Sequence, residues 1–316
     1  MHSVLVAGDI HPAGVALLKA TPGLSVDWVR TMDLDALGPG LPAAEAVLWR
    51  TQPLGPETLD KAPRLRLVSR YGVGLDAIDL PALAARGIAL ATVGDVNSRS
   101  VAEHTILMML AAARRLVRHD AALRGGNWDL RDRLETDDLF GRRLLVIGFG
   151  RIGRLVAGLA QAIGLEVAVH DPFCPPEAVT AAGYRAEPHL DAALGRAEVL
   201  TVHVPATGAG PLIGAAELAR LPAGALVINT ARGGLIDETA LARAIAAGHL
   251  GGAGFDVFTE EPPGPDSALL GDDRIVLSPH NAGLTEGCAR RMSLQAARNI
   301  VDFFAGTPDP RMLVAL

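Results

Sequence analysis

An arginine, a carboxylate and an imidazole stand just past three short apolar runs in the C-terminal half of this 316-residue chain. Residues 226–229 lead into Thr230-Ala231-Arg232-Gly233-Gly234, residues 252–257 into Phe258-Thr259-Glu260-Glu261-Pro262, and residues 275–277 into Ser278-Pro279-His280-Asn281-Ala282-Gly283. As neighbouring strands of a parallel sheet, these runs would deliver all three side chains to one carboxyl edge, where such sheets bind ligands. The guanidinium fork of Arg232 suits a carboxylate and would polarise the carbonyl beside it. His280 would hand a proton to that oxygen as hydride reaches carbon. Glu261 would pair with His280 and favour its protonated form. Taken singly, each residue has a plainer use: a salt bridge, a solvated loop acid, a histidine under a proline turn. Their shared placement selects reduction of a 2-oxo acid.

That chemistry needs a hydride carrier, and residues 144–171 offer a place for one. The segment reads Leu-Leu-Val-Ile-Gly-Phe-Gly-Arg-Ile-Gly and, after a helical stretch, Glu-Val-Ala-Val-His-Asp. Gly148 permits the tight turn, Gly150 lets backbone approach a pyrophosphate, and Gly153 lets a helix pack close to the sheet. The helix opening near Ile152 presents free N–H groups and a positive dipole end to the phosphates. Asp171 closes the next strand, where a carboxylate accepts ribose hydroxyls and repels a 2′-phosphate, which favours NAD over NADP. Three glycines alone mean little in a chain with 35. The apolar strand before them, the helical period after them and the acid that follows give the pattern its weight.

The elements that must position these groups follow from the alternation of apolar runs with helical segments. Runs at 4–7, 46–49, 65–69 and 88–91 precede the glycine turn and form an α/β unit of their own. From 142 onward a second unit carries about six parallel strands, a helical pair at 176–195 and a helix at 237–247 that opens on Asp237 and stops at Gly248. The last helix, 285–305, is expected to return to the first unit. The expected architecture is therefore two Rossmann-like, doubly wound parallel-sheet domains: a substrate-binding lid, 1–97 plus 286–316, discontinuous in sequence, and a dinucleotide domain, 98–285. Two connections and a hinge follow. Residues 100–119 read as one long helix, apolar nearly all round over 106–113, that needs cover on more than one side. His104 on that helix reads as a structural histidine. A second glycine turn, Tyr71-Gly72-Val73-Gly74, offers a nest of N–H groups at Val73 and Gly74 for a carboxylate.

Composition excludes several classes. The formal charge is −6 with 20% charged residues, there is no basic run, and nucleic acid is not an expected partner. No leader pattern opens the chain and no apolar stretch approaches bilayer length, so a cytoplasmic protein is expected, without membrane contact. Cys174 and Cys288 are too few for a disulfide framework or a zinc site, and no metal is expected.

The stretches 69–79, 97–115, 148–171, 229–237, 256–262 and 278–283 together resemble the D-2-hydroxyacid dehydrogenase family, with strong similarity to its phosphoglycerate branch. The resemblance implies that Arg232, Glu261 and His280 are the catalytic set and that NAD is the cofactor. It implies that Arg151, Ile152 and Asp171 touch NAD, and that Val204, Thr230, Ala231, Asp256 and Gly283 line its path from adenosine to nicotinamide. By the same resemblance Val73 and Gly74 meet the substrate carboxylate, and Arg50 stands where some members face a phosphate. Homodimers joined through the helix matching 100–119 are implied as well. The chain stops at Leu316, so the family's regulatory C-terminal domains and serine feedback are not expected. Asn281 departs from the apolar residue common in relatives, which leaves the substrate open. The expected substrate is a small, acidic D-2-hydroxy acid, 3-phosphoglycerate or a close relative, with hydroxypyruvate or glyoxylate reduction as the alternative. An NAD(H)-sensing binding protein of the corepressor type is the reading from another class. Trp128 could wall the pocket or belong to the core.

Overall fold

Short apolar runs alternate with helices along this chain, and most of the runs become parallel strands. The structure, a computed structural model, describes residues 1–206 and 208–316. In chain order its elements begin with β1 (His2–Ala7), α1 (Pro12–Ala20), β2 (Leu24–Val29), α2 (Leu34–Leu37), β3 (Ala46–Trp49), α3 (Pro56–Asp60), β4 (Leu67–Arg70), α4 (Leu80–Ala85) and β5 (Ala89–Ala91). They continue with α5 (Ser98–Ala113), α6 (Leu116–Arg124), β6 (Arg143–Ile147), α7 (Arg151–Ala162), β7 (Glu166–His170), α8 (Pro176–Ala181), β8 (Arg185–Ala186), α9 (Leu190–Leu194) and β9 (Val199–Val202). The last are α10 (Ala215–Arg220), β10 (Leu226–Asn229), α11 (Glu238–Ala246), β11 (Gly252–Phe255), β12 (Ile275–Leu277) and α12 (Glu286–Phe304). The chain divides into two compact units, Met1–Asn97 with Leu284–Leu316 and Ser98–Gly283.

The first unit is a five-stranded parallel sheet in the order β2-β1-β3-β4-β5. Its helices start on side-chain caps: the His11 ring accepts from the Ala13 N–H at 3.1 Å, and Asp79 accepts from Ala82 at 2.9 Å. Each cap satisfies one of the amide donors that a helix start leaves without a partner. One face is sealed by α12, whose Met292, Ala296, Ala297 and Ile300 pack with Val4, Val6, Leu48 and Leu67. Burying each Leu- or Ile-sized side chain contributes roughly 1.5–3 kcal/mol. Strand β2 escaped sequence reading because it lies at the sheet edge, where side chains alternate between cover and solvent and no apolar run is needed.

The second unit is a seven-stranded parallel sheet in the order β12-β11-β10-β9-β6-β7-β8. Strand order reverses between β6 and β9, and the glycine turn follows β6 at that switch point. Both sheets are covered on both faces, which explains strands such as Val199–Val202 and Leu226–Asn229 that are buried throughout. The sheet has one strand more than the expected six. The segment expected as a helical pair contains β8, a two-residue strand beside β7 that is too short to leave a pattern.

The helix expected over 100–119 is two helices. Arg115 adopts a left-handed backbone, φ +45°, and ends α5 before α6 begins. Its guanidinium donates to the carbonyls of Glu135 at 3.1 Å and Gly251 at 3.2 Å, anchors that outweigh one more helical turn. Within the unit α5 buries Ala102, Met108, Met109 and Ala112, while Leu107 and Leu110 remain 52% and 40% exposed. Among the described residues no helix is long and apolar enough to cross a membrane.

Candidate active site

Asn229 ends β10 with both polar atoms committed to the turn that follows. Its Oδ1 accepts from the Ala231 N–H at 3.1 Å and its Nδ2 donates to the Arg232 carbonyl at 2.8 Å. This staple turns the chain within three residues and fixes where the Arg232 side chain departs. Arg232 Nη1 donates back to the Ala231 carbonyl at 2.7 Å. The next residue must be glycine, because a Cβ on Gly233 would meet the Phe258 carbonyl.

Beyond β11, the Phe258 N–H donates to Glu261 Oε1 at 3.0 Å. The other oxygen of Glu261 lies 2.7 Å from His280 Nδ1. A carboxylate accepts only, so Nδ1 carries the hydrogen and Nε2 is left as the working nitrogen. Both side chains are partly exposed, so the pair can meet a ligand from solvent. His280 sits at φ +47°, a conformation costing a non-glycine residue roughly 1–2 kcal/mol. It is held there by its own N–H, 2.7 Å from the Asp256 carbonyl, and by the Asp256 carboxylate below.

Asp256, 1% exposed, is the anchor of this loop. Its Oδ1 accepts from Ser278 Oγ at 2.5 Å and the Asn281 N–H at 2.9 Å, and its Oδ2 from the Ala282 N–H at 2.9 Å. Asp256, expected along the cofactor path, also holds the loop that carries His280. Ser278 in turn meets His104 Nε2 at 2.8 Å. One position along α5, Thr105 meets Thr230 hydroxyl to hydroxyl at 2.7 Å. The supporting roles of Asn229, Ser278, His104 and Gly233 were missed in the sequence. Only the position of the two hydroxyls, each two residues before a reactive side chain, hinted at them.

At the switch point, Gly148 has φ +94° and a Cβ there would lie 2.6 Å from the His203 carbonyl; a Cβ on Gly153 would lie 2.0 Å from the Gly148 carbonyl. A Cβ on Gly150, by contrast, would meet nothing within 4 Å, so the turn is open on the side where a phosphate would approach. Arg151 and Ile152 begin α7 directly behind it. The Asp171 carboxylate accepts from Phe149 N–H at 2.7 Å and Phe173 N–H at 2.8 Å, which fixes it against the turn while each oxygen keeps a second lone pair. Val204 follows β9 with its methyl against the turn, and Gly283 closes the His280 loop half-buried. His203 Nε2 pairs with Thr201 Oγ1 at 3.0 Å; burial pushes its pKa from 6.5 down to about 3, so the ring is neutral. These residues fit a dinucleotide.

Arg50, Val73 and Gly74 belong to the first unit. Arg50 Nη1 donates to the Asp9 carbonyl at 3.1 Å. Arg70 braces the glycine loop from within, its Nε on the Gly74 carbonyl at 2.9 Å and its Nη1 on the Tyr71 carbonyl at 2.6 Å. The Tyr71 and Gly74 carbonyls are thereby occupied, and the N–H groups of Val73 and Gly74 donate to no carbonyl among the described residues. Trp128 is 62% exposed, which excludes the core. Among the described residues no cluster could hold a metal ion.

The model of the D-isomer specific 2-hydroxyacid dehydrogenase NAD-binding domain matches residues 106–282. A D-3-phosphoglycerate dehydrogenase from Mycobacterium tuberculosis is 38% identical over 96% of the chain and 57% of its own length. The chain spans just over half the length of the curated phosphoglycerate dehydrogenases it matches. A glyoxylate reductase from Korarchaeum cryptofilum is 33% identical over 93% of the chain and 87% of its own. Among solved structures, the TT0316 protein from Thermus thermophilus superposes with a TM-score of 0.91 at 31% identity, covering 99% of this chain and 100% of that one. With its glycine turn at the switch point and three polar strand ends beside it, the chain belongs to the D-isomer specific 2-hydroxyacid dehydrogenase family.

Proposed function

We propose that the protein interconverts a small, acidic D-2-hydroxy acid and its 2-oxo acid with NAD as the hydride carrier. The observation that carries this reading is the 2.7 Å contact between His280 Nδ1 and the Glu261 carboxylate, on the loops after β11 and β12, the two strands that follow in sheet order the β10 strand leading to Arg232. NAD supplies or accepts the hydride. Arg232 holds the substrate carboxylate and polarises the carbonyl beside it. His280 Nε2 gives its proton to the carbonyl oxygen as charge develops there, and takes it back from the hydroxyl in the other direction. The Glu261 carboxylate stabilises the charged ring and fixes its orientation. Asp171 receives the ribose hydroxyls, Gly150, Arg151, Ile152 and Gly153 the phosphates, and Val204, Thr230, Ala231 and Gly283 the path to the nicotinamide. Val73 and Gly74 offer N–H donors to the substrate, and Arg50 a positive charge to a phosphate.

3-Phosphoglycerate is the first candidate, by similarity to the phosphoglycerate enzymes. The glyoxylate reductase matched over most of its length supports glyoxylate or hydroxypyruvate as the second. The bare Leu107 and Leu110 on α5, with Leu116 and Val117 on α6, support a homodimer built on these helices. The unpaired thiols of Cys174 and Cys288 fit a reducing cytoplasm. The test is NADH consumption by the purified protein with 3-phosphohydroxypyruvate, hydroxypyruvate, glyoxylate and pyruvate in parallel, repeated with NADPH. Fast turnover of the phosphorylated acid alone selects the first candidate; silence across the panel rejects the reading.

A further inference from the structure

Two adjacent residues of α5 each reach a hydroxyl that precedes a reactive side chain by two positions. Thr105 meets Thr230, two before Arg232, and His104 meets Ser278, two before His280. Proton counting orients the second contact. A serine hydroxyl has one hydrogen, and that of Ser278 lies on Asp256 Oδ1, at 2.5 Å. Ser278 Oγ therefore accepts from His104, so His104 Nε2 carries a hydrogen. The chain of donors runs from the His104 ring through the Ser278 hydroxyl to the Asp256 carboxylate, which also accepts from the N–H groups of Asn281 and Ala282. His104 Nε2 itself lies 3.7 Å from Asp256 Oδ1, close enough to add attraction whenever the ring is charged.

We infer that His104 is a positioning residue for His280, acting through Ser278 and Asp256; the inference deepens the proposed oxidoreductase reading and rests on it. His280 occupies a left-handed conformation that relaxes unless its flanks are pinned. Asp256 pins both flanks, Ser278 on one side and residues 281–282 on the other. Without a donor from His104, Ser278 Oγ is held by Asp256 alone and the Ser278–Asp256 pair loses the contact that ties it to α5. The His280 ring then departs from its line with Glu261, and misplacement of about 1 Å costs on the order of 100-fold in rate.

The experiment compares His104→Leu, His104→Gln and Ser278→Ala with the unaltered protein. Gln places an amide N–H where Nε2–H stood; Leu does not. Two quantities are read: turnover on the best oxo acid, and hydrogen exchange at the amides of residues 280–282. His104→Leu is expected to lower kcat by about 10- to 100-fold with KM within about twofold, and to speed exchange at those amides. His104→Gln is expected to recover both. Ser278→Ala should match His104→Leu, and the double variant should be no worse than the more severe single one. Should His104→Leu fail to fold, Ser278→Ala and His104→Gln carry the same comparison. Unchanged kcat and exchange in His104→Leu, or no recovery in His104→Gln, overturns the inference. If the unaltered protein reduces no oxo acid the function reading fails, and the exchange data decide the anchoring by themselves.

Discussion

Gly233 and Phe258 approach so closely that a Cβ on the glycine would lie 1.8 Å from the phenylalanine's carbonyl oxygen. The turn that carries Arg232 is thereby packed against the turn that carries Glu261, since the Phe258 N–H holds that carboxylate. Gly233→Ala forces the two backbones apart. Overpacking of this kind costs about 1–3 kcal/mol, and here it also separates reactive groups. Thermal unfolding and steady-state rates should show a lower midpoint together with reduced kcat; a variant equal to the parent in both would refute this account of the junction.

His280→Ala removes the proposed proton donor without touching the glycine turn. Turnover should fall by about 10²–10⁴, while NADH affinity measured by fluorescence stays near that of the parent. Glu261→Gln keeps a hydrogen-bond acceptor but removes the charge beside the ring, so its loss should be smaller. Normal turnover in His280→Ala would assign the proton to another group.

Asp171→Asn keeps the shape beside the glycine turn and removes the negative charge. Hydrogen bonds to a charged acceptor contribute about 1.5–3 kcal/mol, so NADH should bind roughly tenfold or more weakly. NADPH should gain relative to NADH, because a 2′-phosphate is no longer repelled. Paired titrations of both cofactors decide this, and an unchanged ratio would remove Asp171 from the ribose site.

His203 makes stability depend on pH. Its folded pKa of about 3 lies below the ordinary 6.5, so between those values the unfolded chain binds a proton that the folded chain does not. The stabilisation is complete above pH 6.5 and is lost as pH falls toward 3, by up to about 1.4 kcal/mol per pH unit. Denaturant midpoints at pH 7.5, 5.5 and 4.5 should fall for the parent and fall less for His203→Gln. Parallel slopes would show that the ring charges in the folded state.

Leu107→Asp with Leu110→Asp places two charges on the bare face of α5. Sedimentation should find the parent as a dimer and this variant as a monomer. A parent that sediments as a monomer would leave that face without its proposed partner.

The sequence was most legible where backbone constraint and chemistry coincide. Gly148, Gly153 and Asp171 combine residue types with a spacing that few other structures need, and buried strands such as β9 and β10 carry continuous apolar runs. Strands β2 and β8 were not legible, one because an edge strand needs no such run and the other because two residues make no pattern. The break at Arg115 depends on carbonyls at Glu135 and Gly251, 20 and 136 positions away, which no local reading contains. The same holds for Asp256. The resemblance implied a place along the cofactor path, while its partners at 278, 281 and 282 are known only once two strand ends lie side by side.

The five-stranded sheet of the first unit is finished by α12, whose Cys288, Met292, Ala296 and Ile300 complete a core begun by Val4 and Val6. A ribosome makes that helix about 190 residues after β5, roughly ten to forty seconds later at ordinary elongation speeds. Through that interval this face of the nascent sheet has only Val15 and Leu18 of α1 over it, while the contiguous second unit emerges and can fold. The second unit to be started is thus the first that can be completed, and the opening strands wait for α12 to emerge.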